Sequence, residues 1–346
     1  MRVAVGVAAV LTADDVDFVV EADRLGAHSV WVPEAWGQDA LTPLAYLAAR
    51  TERIRLGSGI VQLGARTPAN LAMSALSLQA LSGNRFLLGV GTSGPQVMEG
   101  WHGVRFASPL ALTRETVDIV RKVASGERLE HHGRVYNLPL PGGSGRAIRS
   151  MLPPVAVPVY IAALGPRNLA LTGEIADGWI GNAFLPECAE AFLPFLRQGV
   201  AAAGGGRSLA DLDLVIPVAV EFTDDVDEAA ARHARGYAFT IGAMGGKETN
   251  FYNAAFSRQG FGDDVAAVQA LWRDGRREEA AGRVPREIGF KTNLLGTAAM
   301  VKDRLRRYRA AGITTLQAKL AGELGPKLDT LGLLIDLVND INEEKL

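Results

Sequence analysis

Two residues stand where their types could move a proton. Glu34 closes the run Ser29-Val30-Trp31-Val32-Pro33-Glu34-Ala35-Trp36, a carboxylate placed directly after a short β-branched pattern. Such a group can hydrogen-bond a bound cofactor, transfer a proton or simply solvate a loop. His102, in Trp101-His102-Gly103, is a lone histidine in a loop, more often structural than a general base. A third pattern, Gly89-Val90-Gly91-Thr92-Ser93-Gly94, matches the G-x-G-x-x-G loop that lets a main chain approach a pyrophosphate. That reading needs an acidic residue ending a further strand about 20 residues on. The candidate is Glu115, which falls in a helical pattern, so a sharply bending barrel loop is the favoured alternative. Gly57-Ser58-Gly59-Ile60, followed by Arg66-Thr67-Pro68, reads as a strand running into a loop, with a bulge as the plain account of its glycines.

These residues need elements to hold them. Eight short β-branched runs, at 3–7, 29–32, 54–60, 86–90, 157–161, 178–180, 214–222 and 314–319, alternate with stretches of 3.6-residue apolar period. Helices are predicted over 15–25, 41–49, 69–81, 113–124, 167–175, 187–202 and 226–239. Consecutive parallel strands require crossovers, and eight such units over 346 residues fit a closed (β/α)8 TIM barrel, an α/β fold, better than an open sheet. The stretches around 126–158 and 242–297 break the rhythm and read as insertions in one barrel domain spanning 1–346. In such a barrel, chemistry gathers at strand C-termini and in the loops after them, where Glu34, Gly59 and Gly94 all fall.

Composition excludes several classes. Net charge is −2 and hydrophobic residues make up 48%, against both disorder and a nucleic-acid binder. The single cysteine, Cys188, closes no internal disulfide, and the five histidines lack ligand spacing, so no metal is expected. No phosphate-loop lysine motif and no G-x-S-x-G elbow occurs. No uncharged apolar run approaches the roughly 18 residues of a membrane span, so the expected setting is cytoplasmic. Trp36 reads as core, His131-His132 as a solvated pair, and 302–309 as the solvated face of a helix.

Five blocks resemble the luciferase-like monooxygenase superfamily, and more narrowly its branch using the deazaflavin coenzyme F420. They are Ser-Val-Trp-Val-Pro-Glu-Ala-Trp-Gly at 29–37, Ser-Gly-Pro-Gln-Val-Met-Glu-Gly-Trp-His-Gly at 93–103, Ala-Ala-Leu-Gly-Pro at 162–166, Ala-Asp-Gly-Trp at 176–179 and Asn-Phe-Tyr-Asn at 250–253. The resemblance runs over almost the whole chain and implies a luciferase-like barrel with insertions that forms a homodimer. It implies cofactor contacts at Glu34, Gly59, Ile60, Gly94, Pro95, Gln96, Met98, Ala162, Ala163, Leu164, Gly165 and Asn182, and a non-proline cis peptide at Gly59–Ile60. Ala35 stands where alcohol-oxidising relatives carry a histidine base, and Met98 where some carry asparagine. The implied function is hydride transfer between F420 and a small organic substrate, in the reducing direction on C=C or C=N, with Glu34 and His102 as catalytic candidates. The alternatives are an FMN-dependent monooxygenase and a non-catalytic flavin-binding member.

Overall fold

Strand alternation sorts the β-branched runs into an outer face for helices and an inner face for a barrel. The computed structural model describes residues 1–244 and 250–344. Its eight central strands are β1 (Arg2–Gly6), β2 (Ser29–Val32), β3 (Arg55–Ser58), β4 (Phe86–Gly91), β5 (Val159–Ala162), β6 (Gly178–Ile180), β7 (Asp213–Phe222) and β8 (Thr315–Lys319). Each pairs in parallel with the next, and β8 pairs with β1, so the sheet closes into the expected barrel. Gly89 and Gly91 lie inside β4, which rules out the dinucleotide loop and leaves the barrel turn.

Val3, Val5, Val30, Val32, Leu214, Ile216, Leu316 and Ala318 face outward into the core beneath the helices. Ala4, Trp31, Leu87, Tyr160 and Val215 face inward and form a second cluster. Trp31 and Tyr160 meet edge-on at 5.1 Å, filling the lower barrel. Their bulk is matched by absence of side chain opposite: a Cβ on Gly57 would lie 2.4 Å from the Trp31 ring, and one on Gly178 2.3 Å from Tyr160. Below them Asp213 accepts from Tyr160 Oη at 3.0 Å and Thr315 Oγ1 at 2.7 Å, and pairs with Arg2 at 2.6 Å. Higher up, the inward positions Gly6, Ile60, Ala162, Pro217, Ala219 and Gln317 are only partly covered. The barrel is therefore plugged at its N-terminal end and open at its C-terminal end.

Several elements differ from the sequence expectation. The third strand stops at Ser58 and resumes as Val61–Gln62 beside β4; between them the Gly59–Ile60 peptide is cis. The helix expected over 187–202 is a 3-10 segment, Pro186–Ala191, followed by an α-helix, Leu193–Ala203, because Pro194 begins a new first turn. The 126–158 insertion is held by Glu115, whose carboxylate accepts from the N–H groups of Arg134, Val135 and Tyr136 at 2.8–3.1 Å. Burial opposes its charge, yet these three donors keep its carboxyl below the usual range. His131 is not solvated: it is 8% exposed and sits between Asp118 and Glu115. Nor is the 302–309 face free, since Arg304 is buried and pairs with Glu187. The 242–297 insertion, of which 245–249 fall outside the described residues, carries the helices Phe251–Phe256, Gly262–Arg273, Arg277–Arg283 and Arg286–Lys291. It packs against the helix Val226–Ala243 through its own apolar cluster, and a short strand, Leu294–Gly296, pairs in parallel beside the last residues of β7. Among the described residues no helix is long and apolar enough to cross a membrane.

Candidate active site at the barrel mouth

The loops after β2, β3 and β4 meet through one buried amide. Gln62, 3% exposed, donates from Nε2 to the carbonyls of Glu34 at 3.2 Å and Ala35 at 3.4 Å. Its Oε1 lies 2.5 Å from His102 Nε2. Carbonyls can only accept, so the amide orientation is fixed, and His102 must donate from Nε2. In the neutral imidazole the lone pair then sits on Nδ1.

Glu34 is already engaged. Arg66 meets it with two parallel bonds, at 2.8 and 2.9 Å, and the N–H groups of Ala40 and Gln62 reach the same carboxylate at 3.1 and 3.3 Å. Burial opposes the Arg66 charge, but this side-chain bonding raises its pKa. Trp36, expected in the core, is 53% exposed on the rim. Its loop, which begins with Pro33 and Glu34, passes over the barrel edge after β2.

After β4, Ser93 takes a left-handed φ of 55° and Gly94 starts a one-turn helix, Pro95–Met98. Gly94 and Pro95 are half-buried and Gln96 is exposed, whereas Met98 is turned inward with its methyl beside Gly64. After β5, three successive carbonyls are tied down: Ala162 by Asn168 Nδ2 at 3.4 Å, Ala163 by Trp179 Nε1 at 2.8 Å, and Leu164 by Arg258 Nη2 at 2.6 Å. Gly165 then caps the helix Pro166–Ile175 with no side-chain hydrogen bond to its N-terminus. After β6, Asn182 Oδ1 accepts from Ala183 N at 2.7 Å. Gln259, next to Arg258, bonds both Leu185 N and Ala183 O, so two neighbours on the insertion hold two adjacent rim loops.

All the sequence candidates thus stand on the rim between β2 and β6, but their connectors were not legible as site residues. Gln62, Arg258 and Gln259 carry no motif; Trp179 had drawn notice only as the end of the 176–179 block, and Arg66 only as part of a loop. Among the described residues no cluster could hold a metal ion. Two surface grooves, of about 330 Å3 beside Thr12 and Tyr46 and about 670 Å3 beside Arg121 and Pro154, lie away from these residues.

The chain is 40% identical over 307 residues to a Mycobacterium tuberculosis protein that carries the provisional name coenzyme F420-dependent oxidoreductase, covering 87% of this chain and 88% of that one. It is 26% identical to the 5,10-methylenetetrahydromethanopterin reductase of Archaeoglobus fulgidus, with 89% of each covered. Its fold matches the coenzyme F420-dependent tetrahydromethanopterin reductase of Methanopyrus kandleri with a TM-score of 0.81 at 20% identity, over 98% of this chain and 99% of that chain. The sequence pattern of luciferase-like monooxygenases is met from residue 7 to residue 315. A barrel closed by these eight strands and a pattern met across nearly its whole length place the chain in the luciferase-like monooxygenase family.

Proposed function

We propose that the protein is an F420-dependent oxidoreductase that moves hydride between the deazaflavin and a small organic substrate, reducing a C=C or C=N bond. The observation that carries this is the β5 loop. Its carbonyls are bonded from the side, and the helix after it opens with N–H groups that have no intrahelical acceptor. Such a terminus suits a phosphate. The wall beside it is neutral and close-fitting: a Cβ on Gly91 would come within 2.8 Å of Ile60 Cδ1 and 3.4 Å of Ala162 Cβ, a surface that fits a flat ring. The names of the relatives described above support the choice of F420 over FMN.

Bound there, the deazaflavin supplies the hydride. The chain binds and orients. Gly59, Ile60, Ala162 and Ala163 form the ring wall, Gly94, Pro95, Gln96 and Met98 the rim of the β4 loop, and Leu164, Gly165 and Asn182 the phosphate side. Glu34 fixes the β2 and β3 loops through Arg66 and the Gln62 N–H. His102 Nδ1 is the atom that holds and releases the accompanying proton, since Nε2 is committed to Gln62. Reduction needs one such donor, whereas alcohol oxidation needs a base at the hydroxyl, and Ala35 offers none.

Fluorescence titration with F420 and FMN tests the cofactor, with F420 expected to bind at least tenfold tighter, about 1.4 kcal/mol. FMN winning by that margin would move the protein to the monooxygenase reading, and binding of neither to the non-catalytic one. Turnover of enones, imines and secondary alcohols then sets direction: alcohol oxidation lost in His102→Ala reverses it.

A further inference from the structure

We infer that Lys319 is a recognition site for an anionic group, a carboxylate or phosphate, on the substrate that enters the barrel mouth. The inference rests on the reading above only for where the cofactor lies.

The side chain's direction follows from β8. Leu316 and Ala318 are buried under the outer helices, and Thr315 reaches Asp213 inside the barrel. Gln317 also points inward, its Nε2 2.7 Å from where a Gly6 Cβ would be. Alternation therefore turns Lys319, the last residue of the strand, to the inner face at the open end. The ring order β1 to β8 puts β8 diametrically across from β4, so Lys319 faces the wall formed by Ile60, Gly91 and Ala162 across the space a substrate would occupy.

Its charge is unspent. The other described lysines all meet carboxylates: Lys122 with Asp118 at 3.3 Å, Lys302 with Asp340 at 2.8 Å, Lys327 with Asp15 at 3.9 Å, and Lys291 with Glu287. Lys319 has no ion pair and no hydrogen bond among the described residues. The acids at the upper ends of β7 and β2 are committed elsewhere, Glu221 to Arg232 and His233 and Glu34 to Arg66. Lys319 is open to solvent yet surrounded by protein mass, and that burial lowers its pKa. An unpaired ammonium in a concave, partly desolvated mouth attracts anions and bonds them strongly. Gln317, two residues below on the same face, adds an amide whose donors are not used by any described residue.

Two readouts test this. The seven lysines can be reductively 13C-methylated, and the Lys319 resonance identified by its loss in Lys319→Arg. Titration with inorganic phosphate, without cofactor, is expected to shift that resonance saturably; a flat response overturns the site. The second readout compares a carboxylate with its methyl ester, for any substrate pair reduced with F420. The acid is expected to lead in kcat/KM by about tenfold, with the lead lost in Lys319→Met, kept in Lys319→Arg, and F420 affinity unchanged in both. Equal rates in the parent protein, or a lead that survives in Lys319→Met, overturns the substrate assignment. If F420 does not bind the parent protein, the cofactor reading falls, and the phosphate titration alone decides the anion site.

Discussion

A carboxylate held by two arginine nitrogens and two backbone N–H groups has little capacity left for a substrate proton. Glu34 is in that position, with 6% of its side chain exposed. Removing it strands Arg66, itself only 20% exposed, so Glu34→Ala is expected to cost about 3 kcal/mol. Glu34→Gln, which keeps one acceptor oxygen for Arg66, should cost less. Urea unfolding measures both, and an unchanged midpoint for Glu34→Ala would show that the pair does not hold the rim. Glu34 and His102 were legible in the sequence as chemistry-bearing types. Their link was not, because it runs through Gln62, 40 residues from His102, and an amide in a strand pattern announces nothing about its partners.

At the scale of elements, the helices Pro166–Ile175 and Leu193–Ala203 touch backbone to backbone. A Cβ on Gly199 would fall 1.8 Å from Ala170 O, and one on Gly173 2.2 Å from Leu196 O. Gly199→Ala is therefore expected to destabilise by about 3 kcal/mol. It should also weaken F420 binding, because it displaces the helix whose first turn is proposed to meet the phosphate. Gly236, on the helix Val226–Ala243 with nothing near its Cβ position, is the control: Gly236→Ala should be neutral or stabilise by up to about 1 kcal/mol. Thermal unfolding and titration read both, and equal behaviour of the two variants would refute close helix approach as the cause. The eight strands were legible because short β-branched runs alternating with stretches of 3.6-residue apolar period leave few other readings. The break at Cys188 was not, since the apolar spacing of 187–202 continues across it and only Pro194 marks the restart. The partners of His131 and Arg304 were equally hidden, for burial by distant elements leaves no trace in local pattern.

Across the whole molecule, the barrel is asymmetric from floor to mouth. Beside the floor, His28 is held neutral by burial, with Arg2 adding repulsion, and its pKa falls from 6.5 to about 4. Between those values the unfolded chain binds a proton that the folded chain refuses. The contribution to stability is thus complete above about pH 6.5, declines as pH drops toward about 4, and levels off below. Discounted for partial exposure, the loss is about 2 kcal/mol. Urea unfolding at about pH 7 and about pH 4.5 should show it, with a shallower pH slope in His28→Gln; an identical slope would assign the effect to other groups. Above the floor, Trp31 and Tyr160 leave no passage through the centre of the barrel. A vessel closed below has one door. Whatever reacts inside must arrive and depart across the same rim, so two ligands sharing the mouth form a queue, and the deeper one is the first to be committed and the last to be released.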